Sequence, residues 1–420
     1  MQPALAAIIM IVCIVLFLTG KVPILIVPLI GALLCGVTGL VPYSEIFADF
    51  SGNTAILMIS MSIVGAAMFQ TGLAQKVAGV VTKFGGGSER SIIFIAVISS
   101  TLLSGIFNGT SSFVTLCPII TAMCVANHVS VSRVYFALSY GVIFGSLLTL
   151  IGSSMGPISS GVLEDAGYAP LGFLEPTMLG VPFAICGIIY LLTIGRKFLP
   201  NTNAIPEKMV GGNEAKNATP LKLRISAVVL LAIVLTMVLQ PENLPFYIIA
   251  AIGAVVLVLT GCLSTKQFLD AIPWQTIFIL GGMSTVGTAV ENSGAGKIFA
   301  DAVVSAFGGF SNPIILLAVV YLTTAVLTQF LSNSTAAIIV APIGLLISQA
   351  VGAEARPFVM AAYAGSISSF STPIATNVLT FIYEPGQYKW GHYLKMGIGM
   401  QIIYFVLSMV LIPILWPLHG

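Results

Sequence analysis

Charge is what this sequence lacks. Only 7% of its 420 residues are Asp, Glu, Lys or Arg, against roughly 25% in a soluble domain. Residues 312–352 contain none at all. Such a chain cannot be a soluble globular domain. Histidine is as scarce: His128, His392 and His419 are the full set, and they fall in loops or the tail. No H-E-x-x-H motif, embedded aspartate pair or nucleophile–base pair is present, so the common routes to an enzyme are closed. The six cysteines, Cys13, Cys35, Cys117, Cys124, Cys186 and Cys262, sit in apolar segments without metal-ligand spacing and read as small membrane hydrophobes. The apolar run 4–18 has no basic n-region before it and no small-residue cleavage site, which predicts a retained first helix rather than a signal peptide.

What is there is apolar: 57% of the chain, with 42 glycines and 22 prolines. That composition suits membrane helices that pack closely and break at defined points. A full crossing needs about 20 residues. Candidates are 4–20, 22–41, 53–72, 134–163 and 176–195, then a polar linker at 196–224, then 225–240, 246–263, 274–291, 357–383 and 396–416. The fourth member of each set is long and interrupted by small polar residues. Each half also holds an uncharged run, 91–127 and 312–352, too long for one helix and marginal for two crossings. Half-crossing, re-entrant hairpins fit these runs best.

Basic residues test the map. With the N-terminus outside and both hairpins returning to the side they left, 14 of the 16 Lys and Arg face the cytoplasm, and only Lys297 and Arg356 face out. A single crossing by residues 91–127 would send the basic linker outside. Five crossings per half is an odd number, so the second half enters inverted. Residues 1–195 and 225–420 thus read as two inverted repeats. Thr54 and Thr276, Gly65 and Gly287, and Gly72 and Gly294 pair at an offset of 222, and Tyr140 and Tyr363 at 223.

The hairpin tips carry the chemistry. Residues 327–343 place Ser332, Asn333, Ser334 and Thr335 in the middle of an apolar run, and 103–119 form its counterpart. Thr110 precedes Pro118 by eight residues, as Ser334 precedes Pro342. Small polar groups in hydrocarbon are costly unless they find partners or line a cavity. A helix broken at the midplane offers unpaired amides at one end, suited to an oxyanion, and unpaired carbonyls at the other, suited to a sodium ion. Residues 150–157 and 370–377 supply two further breaks. No Asp, Glu, Lys, Arg or His falls inside a crossing, so a buried proton relay is not indicated and metal-cation coupling is.

At these residues the chain resembles the divalent anion/sodium symporter family of the ion-transporter superfamily. Ser332-Asn333-Ser334, with Pro342, is similar to that family's Ser-Asn-Thr motif at the second tip. Asn108-Gly109-Thr110, with Pro118, occupies the first tip, departing at two of three positions. Thr372-Pro373 corresponds to the Thr-Pro pair of the second unwound helix, and Thr149-Leu150-Ile151-Gly152 to the first, before Ser153-Ser154-Met155-Gly156 departs. The closing stretch 383–397 is similar too. The resemblance covers nearly the whole chain, although a helix that many members carry before the repeats has no counterpart.

The resemblance implies an all-α polytopic fold of two inverted repeats, each of five transmembrane helices with a re-entrant hairpin and one unwound helix. It implies a substrate site of Gly109, Thr110, Asn333, Ser334, Thr372 and Pro373. One sodium would lie near Ser104, Asn108, Gly109 and Gly152, and a second near Thr328, Ser332, Asn333 and Ser371. It further implies a homodimer whose transporting part moves past a scaffold like an elevator. The expected function is sodium-coupled import of a di- or tricarboxylate across a bacterial inner membrane, both termini outside and no nucleic acid involved. The alternatives are an arsenite or oxyanion permease and a sodium/proton antiporter of the same superfamily, and a membrane-embedded enzyme lies further off.

Overall fold

The computed structural model describes residues 2–19, 21–23, 25–82, 88–107, 109–200, 219–239, 244–295 and 312–419. Among these the regular structure is helical. The first half contains α1 (Gln2–Thr19), α2 (Ile26–Val37), α3 (Asn53–Gln70), α4 (Leu73–Thr82), α5 (Glu89–Ile106), α6 (Gly109–Ala126), α7 (Tyr135–Gly145), α8 (Met155–Asp165) and α9 (Thr177–Leu192). The second contains α10 (Pro220–Leu239), α11 (Phe246–Leu259), α12 (Thr265–Asp270), α13 (Trp274–Asn292), α14 (Pro313–Leu327), α15 (Asn333–Val351), α16 (Ala355–Ile367), α17 (Asn377–Tyr383) and α18 (Trp390–Leu415). Six helices are long and apolar enough to cross a membrane, and six shorter apolar ones accompany them. Most of the linker expected at 196–224, and Lys297, lie outside the described residues.

Local sequence explains where the helices start and stop. Ser88 caps α5 by accepting from the Ser91 amide, and Asn312 caps α14 just before Pro313, whose missing N–H costs nothing at a first helical position. Ser332 caps α15 through the Thr335 amide. The interrupted crossings break where small residues gather. Residues 146–154 separate α7 from α8, and 368–376 separate α16 from α17. Pro118 and Pro342 sit inside α6 and α15, each removing one helical hydrogen bond.

The repeat is visible in individual bonds. Ser104 Oγ donates to the Val142 carbonyl at 2.8 Å, and Thr328 Oγ1, 224 residues on, donates to Ser366 at 2.8 Å. Thr149 Oγ1 donates to Gly105 at 2.6 Å, and Thr372 Oγ1 to Gln329 at 2.7 Å. Gly72 and Gly294 both take positive φ, 81° and 76°. A Cβ on Gly141 would lie 2.5 Å from the Val97 carbonyl, and one on Gly365 2.7 Å from Tyr321, so both hairpins press against discontinuous helices that only glycine lets approach.

The halves interlock. α2 packs on α13 and α11 on α3; α8 packs on α15 and α16, while α17 packs on α6 and α7. Such exchanges are what a pseudo-twofold axis between inverted repeats produces. Every residue of α7 is buried, and every residue of α16 except Arg356. By contrast α10 buries only Ser226, Ile233 and Met237, its other apolar side chains lying on the outside.

Ion pairs bind the helix ends together. Arg356 grips both carboxylate oxygens of Glu175 at 2.7 and 2.8 Å, and Trp416 Nε1 donates to the same group at 2.7 Å. At the opposite ends, Glu89 Oε1 lies 3.0 Å from both Arg133 and Arg196. Arg133 and Arg356 stand 223 residues apart, each at the start of a discontinuous helix.

Candidate functional site

The tip of the second hairpin is a closed network of neutral groups. Thr328 Oγ1 donates to Asn333 Oδ1 at 2.8 Å, and Asn333 Nδ2 donates to Ser369 Oγ at 3.2 Å. Asn333 therefore joins its own hairpin to the unwound stretch 368–376. Gln329 reinforces that joint. Its Nε2 donates to the carbonyls of Ala325 and Ser368, and its Oε1 accepts from the Ser371 amide at 3.0 Å. Gln401 Nε2 also donates to Ser368 O.

The first half uses backbone in place of side chains. The counterpart of Gln329 is Gly105. Its unwound stretch is braced from the α8–α9 connection instead, the Leu150 amide donating to the Phe173 carbonyl at 2.9 Å and Thr177 Oγ1 to Leu148 O. A Cβ on Gly152 would stand 2.8 Å from the Gly145 carbonyl oxygen and 3.4 Å from those of Ser104 and Ser146. Three carbonyls thus gather where a side chain is missing. They come from the C-terminal turns of α5 and α7 and the stretch after α7, the negative ends of those helices. Among the described residues no cluster of His, Cys, Asp or Glu is placed to hold a metal ion. Carbonyls and hydroxyls are the oxygen donors on offer, a set suited to an alkali cation.

Above these carbonyls lies one cavity of about 580 Å³. Gly109 and Thr110 from the first tip line it together with Ser332, Asn333 and Ser334 from the second. So do Gly152, Ser153, Ser154 and Met155 from one break and Ala375, Thr376 and Asn377 from the other. The two halves touch inside it: Ser154 Oγ and Ser334 Oγ are 3.0 Å apart. The starts of α6, α8, α13 and α15 all face this space, and no lining residue is charged. First-turn amides lack intrahelical acceptors and carry partial positive charge. The cavity thus offers helix-start amides without a single cationic side chain in its lining.

A second cavity of about 600 Å³ lies farther along the same elements. Thr54 and Gly287 line it, whereas their repeat partners Thr276 and Gly65 line the first. Asp49, Glu164 and Asp165 stand among its walls. The tip residues 332–334 line the first of these two cavities and not the second.

Gly109, Thr110, Gly152, Ser332, Asn333 and Ser334, named from sequence, are thereby brought together. Ser104 and Thr328 sit one layer beneath, fully buried. Asn108 lies outside the described residues. Thr372 and Pro373 do not reach the cavity: Thr372 is turned to the Gln329 carbonyl, as Thr149 is to Gly105. Ser371 is buried beside them, its hydroxyl without a partner among the described residues. Structure therefore matches Thr372-Pro373 to Thr149-Leu150, and Ala375, Thr376 and Asn377 are among the residues that line the cavity. Sequence reasoning missed these three and Ser154. The signal was available: the 223 offset of Tyr140 and Tyr363, applied to Gly152, Ser153 and Ser154, lands on them.

Residues 14–365 match the model of the citrate transporter family. The chain belongs to that family. It is a membrane transporter of the ion-transporter superfamily, not an enzyme. It is 21% identical to the uncharacterized transporter sll0640 of Synechocystis over 99% of this chain and 97% of that one. It is 26% identical to the arsenical pump membrane protein of Escherichia coli over 89% of each. A 26% identity to sodium/sulfate cotransporter 1 of Chlamydomonas reinhardtii spans 44% of this chain and 22% of that protein. The crystal structure of the Alcanivorax borkumensis YdaH transporter shares the fold, with a TM-score of 0.60 at 14% identity over 92% of this chain and 90% of that one.

Proposed function

We propose that this transporter imports a small organic anion, a di- or tricarboxylate, together with sodium. The observation that carries the reading is the uncharged cavity faced by the starts of four helices of eleven residues or more. Several aligned amide ends favour an anion without a fixed cation that would hold it too tightly to release. Gly109, Thr110, Ser154, Asn333, Ser334, Thr376 and Asn377 contact the anion. Thr372 and Pro373 shape the floor behind them.

Sodium ions ride beneath. The first is held by Ser104, Asn108, Gly109 and the carbonyls around Gly152, and the second by Thr328, Ser332, Asn333 and the stretch around Ser371, whose unpaired buried hydroxyl suits a missing ligand. Both cations neutralise the anion's charge, so the loaded carrier crosses as a less charged unit. Residues 1–195 and 225–420 form the inverted repeats around the linker 196–224, with both hairpins re-entrant and the termini outside a bacterial inner membrane. On that orientation the first cavity opens to the cytoplasm. An elevator movement of hairpins and discontinuous helices along α3 and α13, within a homodimer, carries the tips to the second cavity.

Uptake of succinate, citrate and sulfate into proteoliposomes, with and without an inward sodium gradient, tests this. Sodium-driven accumulation of a carboxylate is expected. Sodium-independent uptake overturns the coupling. The likeness to the arsenical pump over most of both chains, with no side chain at Gly109, favours a compact oxyanion as the second reading.

A further inference from the structure

Two buried tyrosines join the halves reciprocally. Tyr140 of α7 donates its hydroxyl to the Phe370 carbonyl at 3.1 Å, and Tyr363 of α16 donates to the Ser146 carbonyl at 3.2 Å. Both side chains are completely buried. The donors are 223 residues apart and the acceptors 224, so each tyrosine does for the opposite half what its counterpart does in return.

The acceptors are not incidental. Ser146 and Phe370 lie within one residue of corresponding places in the two unwound stretches, where no helix fixes the peptide planes. The Ser146 carbonyl is one of the three gathered at Gly152, and Phe370 immediately precedes Ser371 with its unpaired hydroxyl. Ser146 O also accepts from Ser153 Oγ at 3.1 Å. A cation entering at Gly152 takes the place of that local serine bond, while the tyrosine bond from the other half keeps the carbonyl aimed. In a dry interior a hydrogen bond of this kind orients strongly. Tyr140 is fixed further by edge-on contact with the Phe370 ring, centroids 5.1 Å apart.

We propose that Tyr140 and Tyr363 are positioning residues that couple the two half-sites. Tyr363 holds a carbonyl of the cradle at Gly152 and Tyr140 holds the peptide that leads into Ser371, so occupancy of one half-site is transmitted to the helix that leads into the other. This rests on the sodium-coupled reading above.

The test is the thermal denaturation midpoint of the purified full-length protein against sodium chloride, with choline chloride holding ionic strength constant. Wild type should be stabilised by sodium with a cooperative dose response. Tyr363→Phe and Tyr140→Phe should each raise the half-saturating sodium concentration about three- to tenfold and flatten the response, the effect of one neutral hydrogen bond. Tyr404→Phe, which removes a buried hydroxyl that has no partner among the described residues, should leave the sodium response unchanged. Wild-type sodium dependence in both bridging variants, even with a lower melting temperature, reduces the pair to packing and overturns the proposal, as does an equal shift in Tyr404→Phe. A wild-type protein with no sodium response overturns the sodium reading itself, before any variant is made.

Discussion

Adding one methyl group at Gly152 interrogates the proposed cation site directly. In Gly152→Ala the new Cβ would stand 2.8 Å from the Gly145 carbonyl oxygen, closer than real Cβ atoms come to any neighbour, and 3.4 Å from two more carbonyls. Either the peptide planes rotate away or the stretch 146–154 shifts by several tenths of an ångström. Overpacking of this kind costs about 1–3 kcal/mol, within what a folded protein of this size can absorb. The cradle cannot absorb it, because the methyl occupies the volume between its oxygens. Gly152→Ala should therefore elute as wild type in size exclusion, melt a few degrees lower, and lose sodium-dependent uptake of the anion identified in proteoliposomes. Gly391→Ala serves as control, since a Cβ there meets nothing within 4 Å. A Gly152→Ala protein with the wild-type sodium requirement would refute the cradle.

Other substitutions probe the remaining parts. Asn333→Ala removes an acceptor for Thr328 and a donor to Ser369, two neutral bonds worth about 1–3 kcal/mol together; the folded protein should persist while transport is abolished, and unchanged uptake would take Asn333 out of the site. Ser154→Ala deletes the hydroxyl bonded to Ser334 across the cavity. Its apparent affinity for the anion, measured by competition for uptake, should weaken roughly three- to tenfold at an unchanged maximal rate; equal affinity would show that the first break does not touch the ligand. Arg356→Ala leaves the Glu175 carboxylate, 14% exposed, without its ion-pair partner. A stability loss of about 1–3 kcal/mol is expected, read as a fall in melting temperature, and a fall no greater than that of the exposed Lys197→Ala would contradict the packing account.

Much of the architecture can be read from residue order alone, because hydrocarbon leaves a chain few options. Without water, every backbone amide must be satisfied internally, so long uncharged runs become helices, and polar residues within them mark breaks or cavities. That constraint is local, which is why the apolar helices, the two uncharged hairpin runs, the 222–224 offset and the tip residues 332–334 follow from periodicity and composition. Which residues meet is not local. The motif Thr372-Pro373 has a family likeness, yet only the folded chain reveals that its hydroxyl turns to Gln329 as Thr149 turns to Gly105, placing Ala375, Thr376 and Asn377 at the cavity instead. The Ser154–Ser334 contact and the reciprocal bonds of Tyr140 and Tyr363 span 180 to 230 residues. Such pairings arise when two inverted halves interlock about a shared axis, and the register of that interlock is set by close packing of side chains across the bundle, which no single segment encodes.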